Sequence, residues 1–167
     1  MWKVRVLGGC HWLQNCHYDV DRANRTALTE KDKKWLKSRG YRYDCEDFSC
    51  VHGDFIDPKD WGYIIESRDA RYNFQAVDAA MTFCGHTHHA CIWEKTSDGD
   101  LDSRFDHSLD ALPQRPESVT VAMRKGYRYI VNCGSVGYPR NDLCSTCAIY
   151  NTDTRRISIR RLPFDFS

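Results

Sequence analysis

No stretch of the 167-residue chain approaches the ~18 consecutive apolar residues that a membrane span requires, so no spanning helix and no membrane partner are expected. The opening Met1-Trp2-Lys3-Val4-Arg5-Val6-Leu7 is too short and too charged to hold the apolar stretch of about 7–15 residues found in a signal peptide, which leads to an expected cytoplasmic location. Charge of one sign is also missing. A net charge of +1 and an isoelectric point of 7.6 leave no strong field to attract nucleic acid or an acidic membrane. There is no internal repeat and no low-complexity tract. With 41% hydrophobic and 28% charged residues the composition excludes a disordered chain. A chain of this length buries roughly 70% of its unfolded surface, enough for one domain spanning residues 1–167.

Cysteine is what the chain has in excess. The count is nine, and an odd number without a secretory segment argues against a disulfide framework. Buried thiols in a reducing compartment are the expectation, with metal binding or redox sensing by some of them as the rival.

Along the chain, Lys3–Leu7 alternates as a short strand. Thr29 and Asp32 fit a capping box, followed by a helix to about Arg39 that should bury Trp35 and Leu36 and stop at Gly40. Tyr41–Val51 reads as two short strands around Asp44-Cys45-Glu46-Asp47. Asp57-Pro58 marks a helix start, and Arg68–Ala80 is a further helical stretch. Met81–Cys84 and Ala90–Trp93 read as strands. Residues 95–117 have loop composition and suggest an exposed flap. Ser118–Met123 and Tyr127–Asn132, flanking Arg124-Lys125-Gly126, predict a hairpin. Cys147–Tyr150 and Arg156–Leu162 predict a second one, with Ile157, Ile159 and Arg161 on one face. The class is α/β, with mixed β-sheets and flanking helices.

Chemistry concentrates where predicted strands end in glycine. Phe83-Cys84-Gly85-His86-Thr87-His88-His89 places two histidines at a spacing of two just past a strand, where the turning backbone lets alternate residues face one centre. Neutral imidazole is the commonest side-chain ligand for borderline divalent metals. Cys50-Val51-His52-Gly53-Asp54 repeats the pattern, as does Leu7-Gly8-Gly9-Cys10-His11. A lone histidine is usually a core or surface residue, and His17 and His107 carry no pattern and are read so. Gly53-Asp54-Phe55-Ile56-Asp57 fits a short Gly-Asp-x-x-Asp pattern. In Asn132-Cys133-Gly134-Ser135-Val136-Gly137-Tyr138-Pro139-Arg140, a strand enters a small-residue turn whose N–H groups and Arg140 suit phosphate, although an ordinary tight loop reads the same way. Cys144 and Cys147 have zinc-ligand spacing but no second pair, so core packing is expected of them.

Together these segments resemble the calcineurin-like metallophosphoesterases over roughly residues 4–162. The family's Gly-Asn-His, His, Gly-His-x-His and Asn-Pro-Gly-Ser-Val-Gly-x-Pro-Arg have counterparts in Gly9-Cys10-His11, His52, Gly85-His86-Thr87-His88 and Asn132–Arg140. Asp57-Pro58 and Tyr63 after His52 are similar to the small bacterial and archaeal phosphodiesterase branch. The resemblance implies part of an α/β-β/α sandwich and hydrolysis of a phosphodiester or phosphomonoester at a dinuclear site of manganese, zinc, nickel or iron. It implies that His52 and His86 share one ion with Cys10, that His88 serves the other, and that His11 is the acid for the leaving group. Asn132, Ser135 and Arg140 would bind the substrate. Cys10 replaces the family's asparagine, and a thiolate suits zinc, so a single zinc site of Cys10, His52 and His86 is a further expectation. The chain has no Asp-x-His, and its single Gly-Asp-x-x-Asp directly follows His52. An N-terminally incomplete member is therefore expected: weak or inactive alone, or else a non-catalytic metal-binding scaffold, and a homo-oligomer through surface the missing strands would cover.

Overall fold

The computed structural model describes residues 4–7, 26–96, 118–137 and 144–163. Nine strands and two helices are assigned among them. They are β1 (Val4–Leu7), α1 (Glu30–Lys37), β2 (Arg42–Asp44), β3 (Ser49–Val51), α2 (Ser67–Ala76), β4 (Met81–Cys84), β5 (Ala90–Lys95), β6 (Ser118–Ala122), β7 (Arg128–Cys133), β8 (Cys144–Asn151) and β9 (Arg156–Pro163). One sheet has the order β1-β8-β9-β6 and is antiparallel throughout. The other has the order β2-β3-β4-β7-β5, with the central β3, β4 and β7 parallel and antiparallel strands at both edges. This is the mixed α/β architecture expected from the sequence.

Period-two alternation explains how the sheets pack. Met81, Phe83, Tyr129, Val131, Ala90 and Ile92 point from the mixed sheet into the core between the sheets. Ala148, Tyr150, Ile157 and Ile159 meet them from the antiparallel sheet. The alternate residues Cys84, Ile130, Cys91 and Trp93 face outward and are covered by Ala70 and Phe74 of α2. Phe74 is 2% exposed, and burying a side chain of that size contributes about 1.5–3 kcal/mol. The Asp69 carboxylate holds the start of α2 by accepting the Ile65 and Glu66 N–H groups at 3.0 and 3.1 Å.

Several local expectations are corrected. The capping box is present, with the Asp32 N–H donating to Thr29 Oγ1 at 3.2 Å and the Thr29 N–H donating to Asp32 at 3.0 Å. The helix that follows buries nothing, and Trp35 is 57% exposed. Asp57-Pro58 opens a single turn closed by Asp60 N–H to the Asp57 carbonyl at 3.0 Å, not a helix. Trp61 then takes φ +57°, which no right-handed helix accommodates. Residues 118–132 form no hairpin. β6 pairs with β9 and β7 with β4 and β5, so the turn at Arg124-Lys125-Gly126 steps between sheets. The flap expected at 95–117 lies, from residue 97, outside the described residues. Among the described residues no helix is long and apolar enough to cross a membrane.

Candidate metal site

The parallel pairing of β3 and β4 sets Ser49 opposite Thr82 and Cys50 opposite Phe83. Their carboxyl ends therefore lie side by side, the position where open α/β sheets bind ligands. The Gly85 N–H continues the ladder by donating to the His52 carbonyl at 2.9 Å. His52 and His86 are thus delivered to the same rim, and His52 Nε2 stands 3.1 Å from His86 Nδ1.

The turn beyond β4 is tight. The Thr87 N–H donates to the Gly85 carbonyl at 2.7 Å across one residue, His86, whose φ is +66°. A three-residue turn of this hand is rare and strained. His88 repeats the left-handed backbone at φ +65°. Thr87, between them, is buried, and its hydroxyl accepts from the His89 N–H at 3.1 Å and from Asn132 Nδ2 at 2.9 Å. Asn132 lies opposite Cys84 on β7 and is 0% exposed. Its Nδ2 also donates to the Gly85 carbonyl at 2.8 Å, and its Oδ1 accepts from the Gly134 N–H at 3.0 Å. Both amide hydrogens and the carbonyl of Asn132, expected at the substrate, are thereby spent on the two turns. Such side-chain networks fix a loop when every member is satisfied.

The second turn has its own anchor. Gly134 has φ +73°, and a Cβ there would run into the Thr146 side chain and come within 3.0 Å of the Ala90 Cβ. Thr146 holds this turn through its Oγ1, which accepts from the Ser135 N–H at 2.9 Å, and through its own N–H, which donates to the Ser135 carbonyl at 2.8 Å. Ser135 is 5% exposed.

Two aromatic rings that the sequence did not point to as site residues complete this rim. Tyr63 stacks on His86 with centroids 4.4 Å apart and planes 23° apart. Trp61 lies 4.6 Å from the His52 ring and 5.7 Å from the His86 ring. The loop 53–62 brings them there by folding on itself. A Cβ on Gly53 would sit 2.8 Å from the Gly62 carbonyl and 2.9 Å from the Trp61 backbone, so only glycine permits the approach. The loop is tied to α2 by the Phe55 N–H, which donates to Asn73 Oδ1 at 2.6 Å. Glycines at both ends of the ten-residue segment 53–62 after His52 were the available signal.

The thiols behind the rim are buried. Burial pushes the Cys84 thiol well up, with Cys133 and Asp54 adding to the shift. Burial, helped by Cys50 and Cys147, pushes Cys133 up to about 12. Cys84 and Cys133 pack in the core, and so does Cys147, as expected.

Two imidazole nitrogens on one ion, each at about 2.0–2.1 Å, would stand ~3.0 Å apart at a right angle and ~3.4 Å apart at a tetrahedral angle. The 3.1 Å between His52 and His86 fits that window. The same spacing suits a hydrogen bond in which one ring's N–H donates to the other's lone pair. Among the described residues no group of three or more His, Cys, Asp or Glu side chains is placed to hold an ion, so His88 does not join the His52–His86 pair in such a set. Cys10, His11 and Arg140 lie outside the described residues, as do His17 and His107.

No family model matches the chain, and no curated protein matches it. Among solved structures, the crystal structure of a metallophosphoesterase from Sphaerobacter thermophilus is similar at a TM-score of 0.68 and 27% identity, over 92% of this chain and 61% of that one. The chain thus spans less than two thirds of the length of that solved relative. The similarity gives the chain a metallophosphoesterase-like fold.

Proposed function

We propose that this chain is a metal-dependent phosphoesterase-like protein acting on phosphodiester or phosphomonoester bonds. The observation that carries the reading is the His52–His86 nitrogen pair, 3.1 Å apart at the ends of two adjacent parallel strands. In this reading His52 Nε2 and His86 Nδ1 hold one divalent ion together with Cys10, and His88 serves a second. A divalent ion supplies Lewis-acid polarisation of a phosphoryl oxygen. The chain's own residues do the rest. His11 delivers the proton to the leaving oxygen. Ser135 and Arg140 bind the phosphate. Asn132 acts through the turns it joins. Zinc, nickel and iron suit imidazole ligands, and manganese favours oxygen donors beside them.

Activity of this chain alone is expected to be weak, because two-metal hydrolysis needs anionic ligands that clamp both ions. The second reading is a non-catalytic metal-binding scaffold, favoured by Cys10 standing where the family has asparagine. Metal content and turnover separate the two. The purified chain is assayed for bound manganese, nickel and zinc, and for hydrolysis of bis-p-nitrophenyl phosphate and p-nitrophenyl phosphate, beside His86→Ala. An ion lost in the variant is the expected result. Robust turnover lost in the variant rejects the scaffold. No bound ion under any condition overturns both readings. Self-association is tested by sedimentation equilibrium, where a concentration-independent 19.5 kDa species would exclude it.

A further inference from the structure

The loop 53–62 uses strained backbone to place two rings against the imidazole pair. Trp61 adopts φ +57°, a conformation that costs a bulky residue about 1–2 kcal/mol. Its backbone is pinned by the close approach of Gly53. Strain of this sort persists where the surroundings over-determine it, and it clusters at ligand sites. Trp61 meets both imidazoles, with ring planes at 57° to His52 and 72° to His86. Tyr63 differs, for it lies nearly parallel to His86 yet is 47% exposed. One face of the phenol stacks on imidazole, and the residue as a whole is half-exposed. The following residues fix that orientation. Ile64 is 1% exposed and anchors the segment in the core beside α2, while Ile65 is 66% exposed. Tyr63 and Ile65 are therefore exposed on either side of a buried anchor.

We infer that Tyr63, extended by Ile65, is a stacking shelf for a flat, π-rich substituent on the phosphate ester, a nucleobase or aryl ring, and so selects such esters over sugar or alkyl phosphates. The inference rests on the phosphoesterase reading above and names its substrate class. A ring stacked on the free face of Tyr63 adds a centroid separation of ~4.5 Å or more to the 4.4 Å between Tyr63 and His86. That separation is one a phosphate and a single sugar can span by passing along the edge of the Tyr63 ring. Base stacking on an aromatic side chain is tolerant of base identity and strengthens binding by roughly 5- to 150-fold per base. The shelf thus discriminates flat from non-flat esters without selecting one base.

The test is calorimetric titration of the full chain, loaded with manganese or zinc, with inorganic phosphate, ribose 5-phosphate and adenosine 5′-monophosphate. The nucleotide is expected to bind at least about fivefold tighter than ribose 5-phosphate, the lower end of that stacking range. The ratio should fall to near one in Tyr63→Ala and persist in Tyr63→Phe, which keeps the ring. A role for Tyr63 confined to supporting His86 would move all three ligands together and leave the ratio unchanged. Equal affinity for nucleotide and sugar phosphate in the wild-type chain, or a ratio that survives Tyr63→Ala, overturns the shelf while leaving the phosphoesterase reading intact. Absence of binding by all three ligands, inorganic phosphate included, overturns that reading and the shelf with it. Thermal unfolding of each variant confirms that the half-exposed position tolerates the change.

Discussion

Arg155 closes the β8–β9 turn at φ +50°, and His86 leaves β4 at φ +66°. Both bear side chains in backbone that favours glycine, yet their surroundings differ. Arg155 is exposed, and its carbonyl accepts the Met123 N–H at 2.8 Å, so its turn serves only to link strands. His86 is held from three directions: by the Thr87 hydrogen bond around it, by Asn132 beneath it and by Tyr63 stacked on it. Of the four left-handed non-glycine residues among the described ones, Trp61 and His86 belong to the rim of the candidate site, and His88 follows in the same turn. Strain in the hairpin is incidental, whereas strain at the site is maintained by surrounding structure and aims imidazoles. Gly134 marks the opposite solution, a left-handed position in the neighbouring turn that has no room for a side chain.

The largest expected effect comes from removing that glycine. Gly134→Ala adds a left-handed penalty to an overlap with Thr146 and Ala90 and should destabilise by roughly 2–5 kcal/mol. Urea unfolding followed by circular dichroism measures it, and a loss under 1 kcal/mol would mean that β8 yields easily. Next is His86→Gly. Losing a ligand should weaken metal binding by more than the ~10–100-fold that follows loss of an outer-shell partner. Metal-free stability should stay within about 1 kcal/mol, since relief of the left-handed penalty offsets the lost Tyr63 stacking. Competition with a chromophoric chelator and metal-free melting curves read the two effects separately. Unchanged metal affinity would remove His86 from the site. The smallest effect is Arg155→Gly, expected to raise stability by about 0.5–1 kcal/mol and to leave metal affinity unchanged. A drop in stability would show that the hairpin depends on its arginine.

Much of this was legible in the chain. Gly85-His86-Thr87-His88 announced a tight turn at the carboxyl end of β4 because glycine after an apolar strand lets the backbone reverse there. Thr29 and Asp32 announced a helix start because a capping box is local chemistry. What was not legible depends on partners distant in sequence. The apolar residues of α1 say that one face is amphipathic, but not whether anything covers Trp35. Alternation in 118–132 identifies two strands and a turn, but not that β6 joins β9 in the other sheet. The turn after Asn132 resembles a phosphate loop, but only the pairing of β4 with β7 shows that its buried amide also ties the two turns together. Trp61 was missed, and Tyr63 was noted in the motif after His52 without a site role, because their contact with imidazole arises from a loop folding back on two glycines.

The pairing of β1 with β8 sets a timetable for synthesis. Val4 is registered with Asn151 and Leu7 with Ala148, so β1 lies roughly 140 residues ahead of its neighbour in the chain. At about 5–20 residues per second on the ribosome, β1 waits some 7–30 s for β8 to emerge. The core of the mixed sheet needs no such delay, since its strands lie between Arg42 and Cys133. The nascent chain therefore completes the imidazole-bearing sheet first, while β1 persists as an unpaired edge available to any passing strand.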